Sequence, residues 1–186
     1  MTVDNFEEVT VSRRAIFKGK VIEVVVDEVK LPSGEMSQRE LVLHNGAVGI
    51  MAVTSDDKIV LVEQFRKPLE KTVLEIPAGK IEVGETCYKE RARRELEEET
   101  SYAAADWSLI SDFATAPGFS NERLYLYKAT QLKKVADPLP QDDDELIVCH
   151  ELTLSEAKAA IDSGWIDDAK TIIAIQQWEI QCLKGK

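Results

Sequence analysis

The chain has 186 residues and a formal net charge of −11, from 34 acidic and 23 basic side chains. This length suits one domain with a sizeable core, or one domain plus a small accessory element, and it disfavours two full domains. The acid surplus argues against nonspecific binding to nucleic acid or to anionic membranes, because both depend on Lys and Arg. A phosphate-bearing substrate that arrives with a metal ion stays compatible with it.

The first residues, MTVDNFEEVTVSRR, are acidic and polar, and no apolar run approaches the length that spans a bilayer. The three cysteines, Cys87, Cys149 and Cys182, are scattered and form no C-x-x-C pair. Neither a disulfide framework nor a zinc site is predicted from them. The sequence therefore predicts a cytoplasmic protein.

In chain order, strands are predicted at residues 21–30 and 38–44, which the turn LPSGE joins into a hairpin. Further strands are predicted at residues 47–53, 58–64 and 72–76. A helix follows at residues 88–100, then strands at 107–116, 122–130 and 145–152, with the acidic loop QDDDE before the last of them. Two helices close the chain, the first capped by Ser155 and stopped by Gly164, the second at residues 167–184.

This order of elements predicts an α/β (α+β) fold in which helices flank a mixed sheet. The opening hairpin is predicted to lie outside that core, as an accessory or dimerisation element.

The helix at residues 88–100 belongs to a segment that is unusually rich in glutamate, with six glutamates and no aspartate in residues 85–102. At about 100° per residue, Glu95, Glu98 and Glu99 share an arc of roughly 100° that borders the apolar side of the helix. Like charges so placed repel, and a hard cation such as Mg²⁺ or Mn²⁺ would offset the repulsion. The competing interpretation is a solvated face paired with neighbouring arginines.

Before this helix runs EIPAGKIEVGE, a strand end followed by a proline and two glycines. Glycine lets the backbone approach a ligand closely, and a carbonyl in such a turn can join a metal shell. An ordinary turn explains the same residues.

Together these segments resemble the Nudix hydrolase box, which runs Gly, five residues, Glu, seven residues, then Arg-Glu-hydrophobic-x-Glu-Glu-x-Gly-hydrophobic. The matching residues are Gly79, Glu85, Arg94, Glu95, Leu96, Glu98, Glu99 and Tyr102. Two positions depart from the pattern: eight residues separate Glu85 from Arg94, and Ser101 replaces the glycine. The turn around Thr86 and Cys87 is expected to absorb the extra residue.

Beyond the box, the chain is similar to the ADP-ribose pyrophosphatase subgroup over RELVLHNGAV, VEQFRKPLEKTVLEIPAGK, ATAPGFSNERLYLYKA and DDDELI. The resemblance implies a Nudix-like α/β/α sandwich at residues 46–186. It also implies that residues 1–45 help to form a homodimer whose two subunits build each active site.

The resemblance further implies Mg²⁺-dependent hydrolysis of ADP-ribose to AMP and ribose 5-phosphate, with Mn²⁺ as an alternative metal. The metal would be held by the carbonyl of Ala78 and by the carboxylates of Glu95, Glu98, Glu99 and Glu145. Glu99 is thereby a catalytic residue as well. The general base would be Asp143, Asp144 or Glu145 in the acidic loop.

Substrate contacts are implied at six positions: Phe17, Arg39, Arg66, Glu75, Gly118 and Ser120. The arginines would bind phosphate or ribose, Glu75 the nucleoside, and Gly118 with Ser120 the terminal ribose. Phe17 would stack on adenine from the partner subunit, and a core or interface phenylalanine is the alternative.

Two other functions stay open. In the first, the protein hydrolyses another nucleoside diphosphate sugar, because residues outside the box decide the substrate. In the second, the protein is a regulator that binds ADP-ribose without cleaving it.

Overall fold

A computed structural model describes residues 6–141 and 146–184 of the chain. The chain divides into two compact units. The smaller unit takes the chain through Gly46 together with Ala114–Arg123, and the larger comprises Ala47–Phe113 and Leu124–Lys186. Among the described residues, no helix combines the length and apolar character needed to cross a membrane.

The smaller unit is built on an antiparallel sheet of three strands in the order β1-β2-β3. The strands are β1 (Val9–Lys18), β2 (Ile22–Lys30) and β3 (Met36–His44). β2 and β3 pair without a break, and Gly34 closes their turn with a φ of 91° that favours glycine. The predicted hairpin is confirmed.

β1 is a strand that the sequence did not predict. Its pairing with β2 shifts register twice, between Thr10 and Ser12 and between Ala15 and Phe17. Each shift breaks the alternation of period two by which a strand is recognised.

An ion pair between the exposed Arg13 and the buried Asp27 joins β1 to β2. The carboxylate of Asp27 in β2 is only 2% exposed and accepts hydrogen bonds from Arg13 Nε at 2.6 Å and Nη2 at 2.7 Å. The guanidinium holds the pKa of Asp27 below its usual range. The two strands are therefore joined by side chains as well as by their backbone hydrogen bonds.

The larger unit contains a mixed sheet of seven strands. They are β4 (Ala47–Val53), β5 (Lys58–Arg66), β6 (Lys71–Glu75), β7 (Ala78–Lys80), β8 (Tyr102–Ala114), β9 (Arg123–Lys134) and β10 (Val148–Thr153). The main order is β10-β5-β4-β9-β8, with β6 paired to β5 and β7 to β4. β4 and β9 are parallel, which makes the sheet mixed as predicted.

Helices cover both faces of this sheet: α1 (Tyr88–Thr100), α2 (Leu154–Asp162) and α3 (Ala169–Lys184). Alternate residues of β4 enter two separate cores. Met51 and Val53 join the core that includes α2 and α3, whereas Val48, Ile50 and Ala52 join the core that includes α1. A central strand that is buried on both faces has a continuous apolar sequence. Helices on both sides of the sheet confirm the predicted helix-sheet-helix layering.

The cap predicted for α2 was wrong by two residues. Thr153, not Ser155, precedes the helix in extended conformation, and its hydroxyl accepts a hydrogen bond from the Glu156 N–H. The Glu156 carboxylate bonds back to the Thr153 N–H, which completes a capping box. Ser155 lies inside the first turn. Gly164, with a φ of 77°, follows the end of the helix as predicted.

α1 ends at a serine in the left-handed conformation. Ser101 has φ 57° and ψ 25°, and its N–H donates to the carbonyl of Glu97 at 2.8 Å. A side chain at such a cap is strained by contact between its Cβ and the backbone, and glycine avoids that strain. Ser101 thus stands in the conformation that the glycine of the box would adopt without strain.

We therefore expect Ser101→Gly to stabilise the protein by about 0.5–1 kcal/mol, the relief of strain less the greater entropy of an unfolded glycine. Urea denaturation measures the change. The matched control is Ser108→Gly in β8, an exposed strand position where glycine should destabilise by roughly 0.5–1 kcal/mol. Equal destabilisation by both substitutions would contradict the expectation.

Candidate functional site

The carboxylates of α1 lie at the border between the apolar core and the surface. Glu95 and Glu99 are buried and Glu98 is half-buried, while Leu96, between them, is fully buried in the core. Arg91, one turn before Glu95, places Nε 2.7 Å from Glu95 Oε1 in an ion pair. The acidic side of the helix thus borders its core side, as predicted.

Gly79 is required by the position of the Glu95 side chain. A Cβ atom built on Gly79 would meet Oε1, Cδ and Cγ of Glu95, all closer than 3.0 Å. Contacts this short do not occur, so any other residue at position 79 would displace the buried carboxylate. Gly79 and Glu95, two residues of the box, therefore pack directly against each other.

Glu99 is held by the turn at residues 75–79, here called the 75–79 turn. The Ala78 N–H donates to Glu99 Oε2 at 3.1 Å. The carbonyl of Pro77 accepts from the Ile50 N–H at 2.8 Å, which fixes the same turn to the sheet. Ala78 and Glu99 are therefore brought together, as a shared site requires.

Carboxylate and carbonyl oxygens are the donors that Mg²⁺ and Mn²⁺ prefer. The predicted ligands of this kind among the described residues are the carboxylates of Glu95, Glu98 and Glu99 and the carbonyl of Ala78. Within the described parts of the chain, no three His, Cys, Asp or Glu side chains are grouped closely enough to hold a metal ion. The chemistry of these donors suits a divalent cation, and in this structure Glu95 is paired with Arg91.

Glu75, in the same turn, is the centre of a charged cluster. Its buried carboxylate accepts from Arg66 Nε at 2.7 Å and Nη2 at 2.8 Å, and from Lys170 Nζ. Burial alone would raise the pKa of Glu75, but Arg66 and Lys170 outweigh it and hold this pKa below its usual range. The structure thus brings together Arg66 and Glu75, which were both predicted to bind substrate.

Lys170 was missed by the sequence analysis. It lies in the first turn of α3, a predicted helix, and a lone lysine there gives no signal of a partner 95 residues earlier in the chain. A cation near a helix N-terminus is unfavourable with respect to the helix dipole. That mismatch is the only signal by which the sequence marks this residue.

The neighbours of Lys170 fix the turn as well. Asp168 caps α3, accepting from the Lys170 N–H at 3.3 Å and the Thr171 N–H at 3.1 Å. The buried Thr171 hydroxyl donates to Asp168 and accepts from the Ile76 N–H at 2.9 Å. The first turn of α3 therefore holds two successive residues of the 75–79 turn.

In the smaller unit, the Arg39 guanidinium is fully engaged. Nε and Nη2 donate to the Glu8 carboxylate at 2.8 Å and 2.6 Å, and Nη1 donates to the Ser37 hydroxyl and the Gln38 carbonyl. The guanidinium lowers the pKa of Glu8. A substrate phosphate at Arg39 would have to replace Glu8.

Phe17 lies in β1 with 55% of its surface exposed, and a Cβ atom on Gly19 would lie 2.8 Å from its ring. This exposure excludes a position in the core of this chain. The predicted stacking on adenine and an interface position are compatible with it.

Ser120 accepts from the Glu122 N–H at 3.1 Å and bridges to Val42, while Gly118 has open space at its Cβ position. Asp143, Asp144 and Glu145, the candidates for general base and further metal ligand, lie outside the described residues.

A comparison with protein-family models matches the NUDIX domain over residues 43–174, more than half of the chain. The chain belongs to the NUDIX domain family.

Among its relatives, a methanol dehydrogenase activator of Bacillus methanolicus is 48% identical over 97% of this chain and 98% of its own length. An ADP-ribose pyrophosphatase of Bacillus subtilis is 45% identical over 95% of both chains. A solved structure, that of an ADP compounds hydrolase, aligns with a TM-score of 0.82 over 98% of this chain and 97% of the other. Since it is 20% identical, this last likeness concerns the fold alone.

The Nudix box of this chain accommodates its extra residue before the helix begins. α1 starts at Tyr88, so Thr86 and Cys87 lie outside it, as predicted. Glu85 still reaches the helix, because its carboxylate accepts from Arg94 Nη2 at 2.6 Å. The insertion leaves the frame from Arg94 to Glu99 unchanged.

Because Glu95 occupies the space of a side chain at position 79, Gly79→Ala should lower the free energy of unfolding by about 1–3 kcal/mol. Chemical denaturation measures the loss. Gly118→Ala is the matched control, with an expected change within about 0.5 kcal/mol, because, apart from its chain neighbours, no atom of the described residues lies within 4 Å of its Cβ position. In a Glu95→Ala background, where the ion pair with Arg91 is already lost, Gly79→Ala should cost little further stability. A loss in that background as large as in the wild type would show that Glu95 is not the obstacle.

Proposed function

We propose that this Nudix protein is an ADP-ribose pyrophosphatase that needs a divalent metal, normally Mg²⁺ with Mn²⁺ as a substitute. The observation that carries the proposal is the 45% identity, along 95% of both chains, to a protein named for that activity. The buried carboxylates of Glu95 and Glu99, fitted against the 75–79 turn, support it from the structure.

In the proposed reaction, water adds to one phosphorus of ADP-ribose and the bond from that phosphorus to the bridging oxygen breaks. The bridging oxygen stays with the other phosphorus, and a proton is released. The products are AMP and ribose 5-phosphate.

The residues proposed to hold the metal are Glu95, Glu98, Glu99, the Ala78 carbonyl and Glu145. When bound, the metal neutralises charge on the pyrophosphate and lowers the pKa of water. Asp143, Asp144 or Glu145 accepts the proton of the attacking water, and the structure does not describe these three.

Six further residues are proposed to bind the substrate: Phe17, Arg39, Arg66, Glu75, Gly118 and Ser120. Arg66 is the best supported of them, since Glu75 holds one edge of its guanidinium and leaves the side chain 38% exposed. A planar guanidinium fixed in this way is suited to bind a phosphate.

A second candidate function is a regulator that binds ADP-ribose without cleaving it. The relative at 48% identity favours keeping this candidate, because its name describes an effect on another enzyme. A third candidate keeps the hydrolysis and changes the substrate to another nucleoside diphosphate sugar.

One assay separates the three. The protein is incubated with ADP-ribose or ADP-glucose and Mg²⁺, with and without EDTA, and AMP release is followed by chromatography. We expect AMP from ADP-ribose that EDTA abolishes, and at least about 100-fold less of it with Glu99→Gln, since loss of even an outer-shell partner costs up to that factor.

The matched control is Glu90→Gln on the same helix, where the exposed Glu90 pairs with the exposed Arg93 at 3.4 Å. It should leave the rate unchanged. Faster release from ADP-glucose would favour the third candidate, and binding without release under any divalent metal would favour the regulator.

We further propose that residues 1–45 form an accessory element that dimerises the protein, outside a hydrolase domain at residues 46–186. β1 supports this, because it lies at the edge of its sheet with all ten residues exposed. Four of them are large apolar side chains, half or more exposed: Val9, Val11, Ile16 and Phe17. Such an edge invites pairing with a second copy.

Light scattering after size exclusion should then give about 42 kDa, twice the chain mass of 20.8 kDa. Val9→Glu with Val11→Glu should shift the protein to the monomer mass. Val83→Glu, at an exposed valine of the larger unit, is the control that should leave the dimer intact. A wild-type monomer would exclude the dimer.

A cytoplasmic location is proposed on the three free cysteines, since a reducing compartment keeps exposed thiols such as Cys87 and Cys149 unpaired. Fractionation of cells with an antibody would test it.

A further inference from the structure

The cluster around Glu75 contains one buried carboxylate and two cations. Arg66 holds both oxygens, through Nε on Oε1 and Nη2 on Oε2, and Lys170 Nζ shares Oε2. The Lys170 side chain is only 13% exposed. A lysine is rarely buried this far unless its charge is paired, so its position here has a specific cause.

Charge is distributed unevenly in this cluster. A carboxylate that is bound by a single arginine offsets the charge of that arginine. The Glu75 carboxylate is instead shared between Arg66 and Lys170. Asp168 lies 3.0 Å from Lys170 Nζ, but the same Asp168 oxygen also accepts from the N–H and the hydroxyl of Thr171. Lys170 therefore holds the Glu75 carboxylate on the oxygen that also binds Arg66 Nη2, and it offsets part of the charge of that carboxylate.

Arg66 also keeps one edge available. Nε and Nη2 are bound to Glu75, and among the described residues Nη1 has no hydrogen-bond partner. An arginine that is clamped on one edge and open on the other loses little side-chain freedom when a ligand binds the open edge.

We infer that Lys170 is a positioning residue for Arg66: it holds and partly neutralises the Glu75 carboxylate, so that Arg66 presents a fixed, charged edge to a phosphate of ADP-ribose. This inference rests on the proposed function, in which Arg66 binds that substrate. Lys170 itself does not contact the ligand.

The first turn of α3 explains how a lysine stays at this unfavourable place. Asp168 caps the helix and lies beside Lys170 Nζ, which offsets the repulsion of a cation by the helix N-terminus. Thr171, the next residue, bonds to Ile76, the residue after Glu75. The first turn of α3 and the 75–79 turn are thus joined at two adjacent positions, and these contacts direct the Lys170 side chain towards Glu75.

The test is a double-mutant cycle of Arg66→Met and Lys170→Met. The readouts are kcat and KM for ADP-ribose with Mg²⁺, and calorimetric binding of ADP-ribose in EDTA, which needs no turnover. Lys170→Met should raise KM and weaken binding on the order of 10-fold, as weakening of a charge-assisted contact does, with kcat changed less than about 2-fold. In the Arg66→Met background the same substitution should have little further effect.

Two variants guard against a general loss of structure. Lys158→Met removes the exposed ion pair of Lys158 with Glu179, 2.5 Å apart, which joins α2 to α3, and it should leave KM unchanged. Lys170→Arg keeps the charge and should restore most of the binding. If Lys170→Met does not fold, Lys170→Gln takes its place in the cycle, since it keeps a donor to Glu75 without the charge.

The outcomes separate this inference from the proposed function. Wild-type protein that binds ADP-ribose while Lys170→Met leaves KM and binding unchanged would overturn the inference alone. Effects of the two substitutions that simply add would do the same, because Lys170 would then act independently of Arg66. Wild-type protein that neither binds nor cleaves ADP-ribose would overturn the proposed function and the inference with it.

Discussion

The candidate site depends on the close approach of the Glu95 side chain to the backbone of Gly79. A buried carboxylate lies where a side chain at position 79 would be, so a residue other than glycine there would displace Glu95 from its place between helix α1 and the 75–79 turn. This contact fixes the distance between the helix and the turn. The hydrogen bond from the Ala78 N–H to Glu99 then follows one helical turn later, since residues 95 and 99 lie on the same side of α1.

The turn itself is held by groups from three directions. The sheet donates an N–H from Ile50 to the Pro77 carbonyl, α1 provides Glu99 for the Ala78 N–H, and α3 provides Thr171 for the Ile76 N–H. Each bond satisfies a backbone group that would otherwise be costly to bury. Because the three partners lie in different elements, the geometry of the turn depends on the packing of the whole larger unit.

Sequence reasoning located the helix at residues 88–100 because periodicity, composition and the spacing of glutamates are local properties. Gly79 was also found from a local feature, because it stands in the short segment that follows a predicted strand. The two errors of detail had local causes too: Thr153 and Ser155 are both good caps, and only the extended backbone of Thr153 decides between them. β1 was missed because its two register shifts conceal the alternation.

What the sequence did not reveal was pairing over distance. Nothing local shows that Lys170 meets Glu75, or that Arg39 is occupied by Glu8, because such partners are set by tertiary packing. The arginines could be named as phosphate ligands, but their states differ. Among the described residues, Nη1 of Arg66 has no hydrogen-bond partner, whereas every nitrogen of Arg39 is engaged.

Arg91 stabilises the buried carboxylate of Glu95 in the protein without a metal. This arginine lies between two carboxylates, with Nε 2.7 Å from Glu95 and Nη1 3.3 Å from Glu82. Glu95 is therefore compensated in the protein alone, which makes its burial tolerable. A divalent cation at Glu95 would compete with Arg91 for that carboxylate, and Glu82 would remain as the partner of the guanidinium. Exchange of one cation for another keeps the buried glutamate paired throughout, so the acidic helix need not be unstable before the metal binds.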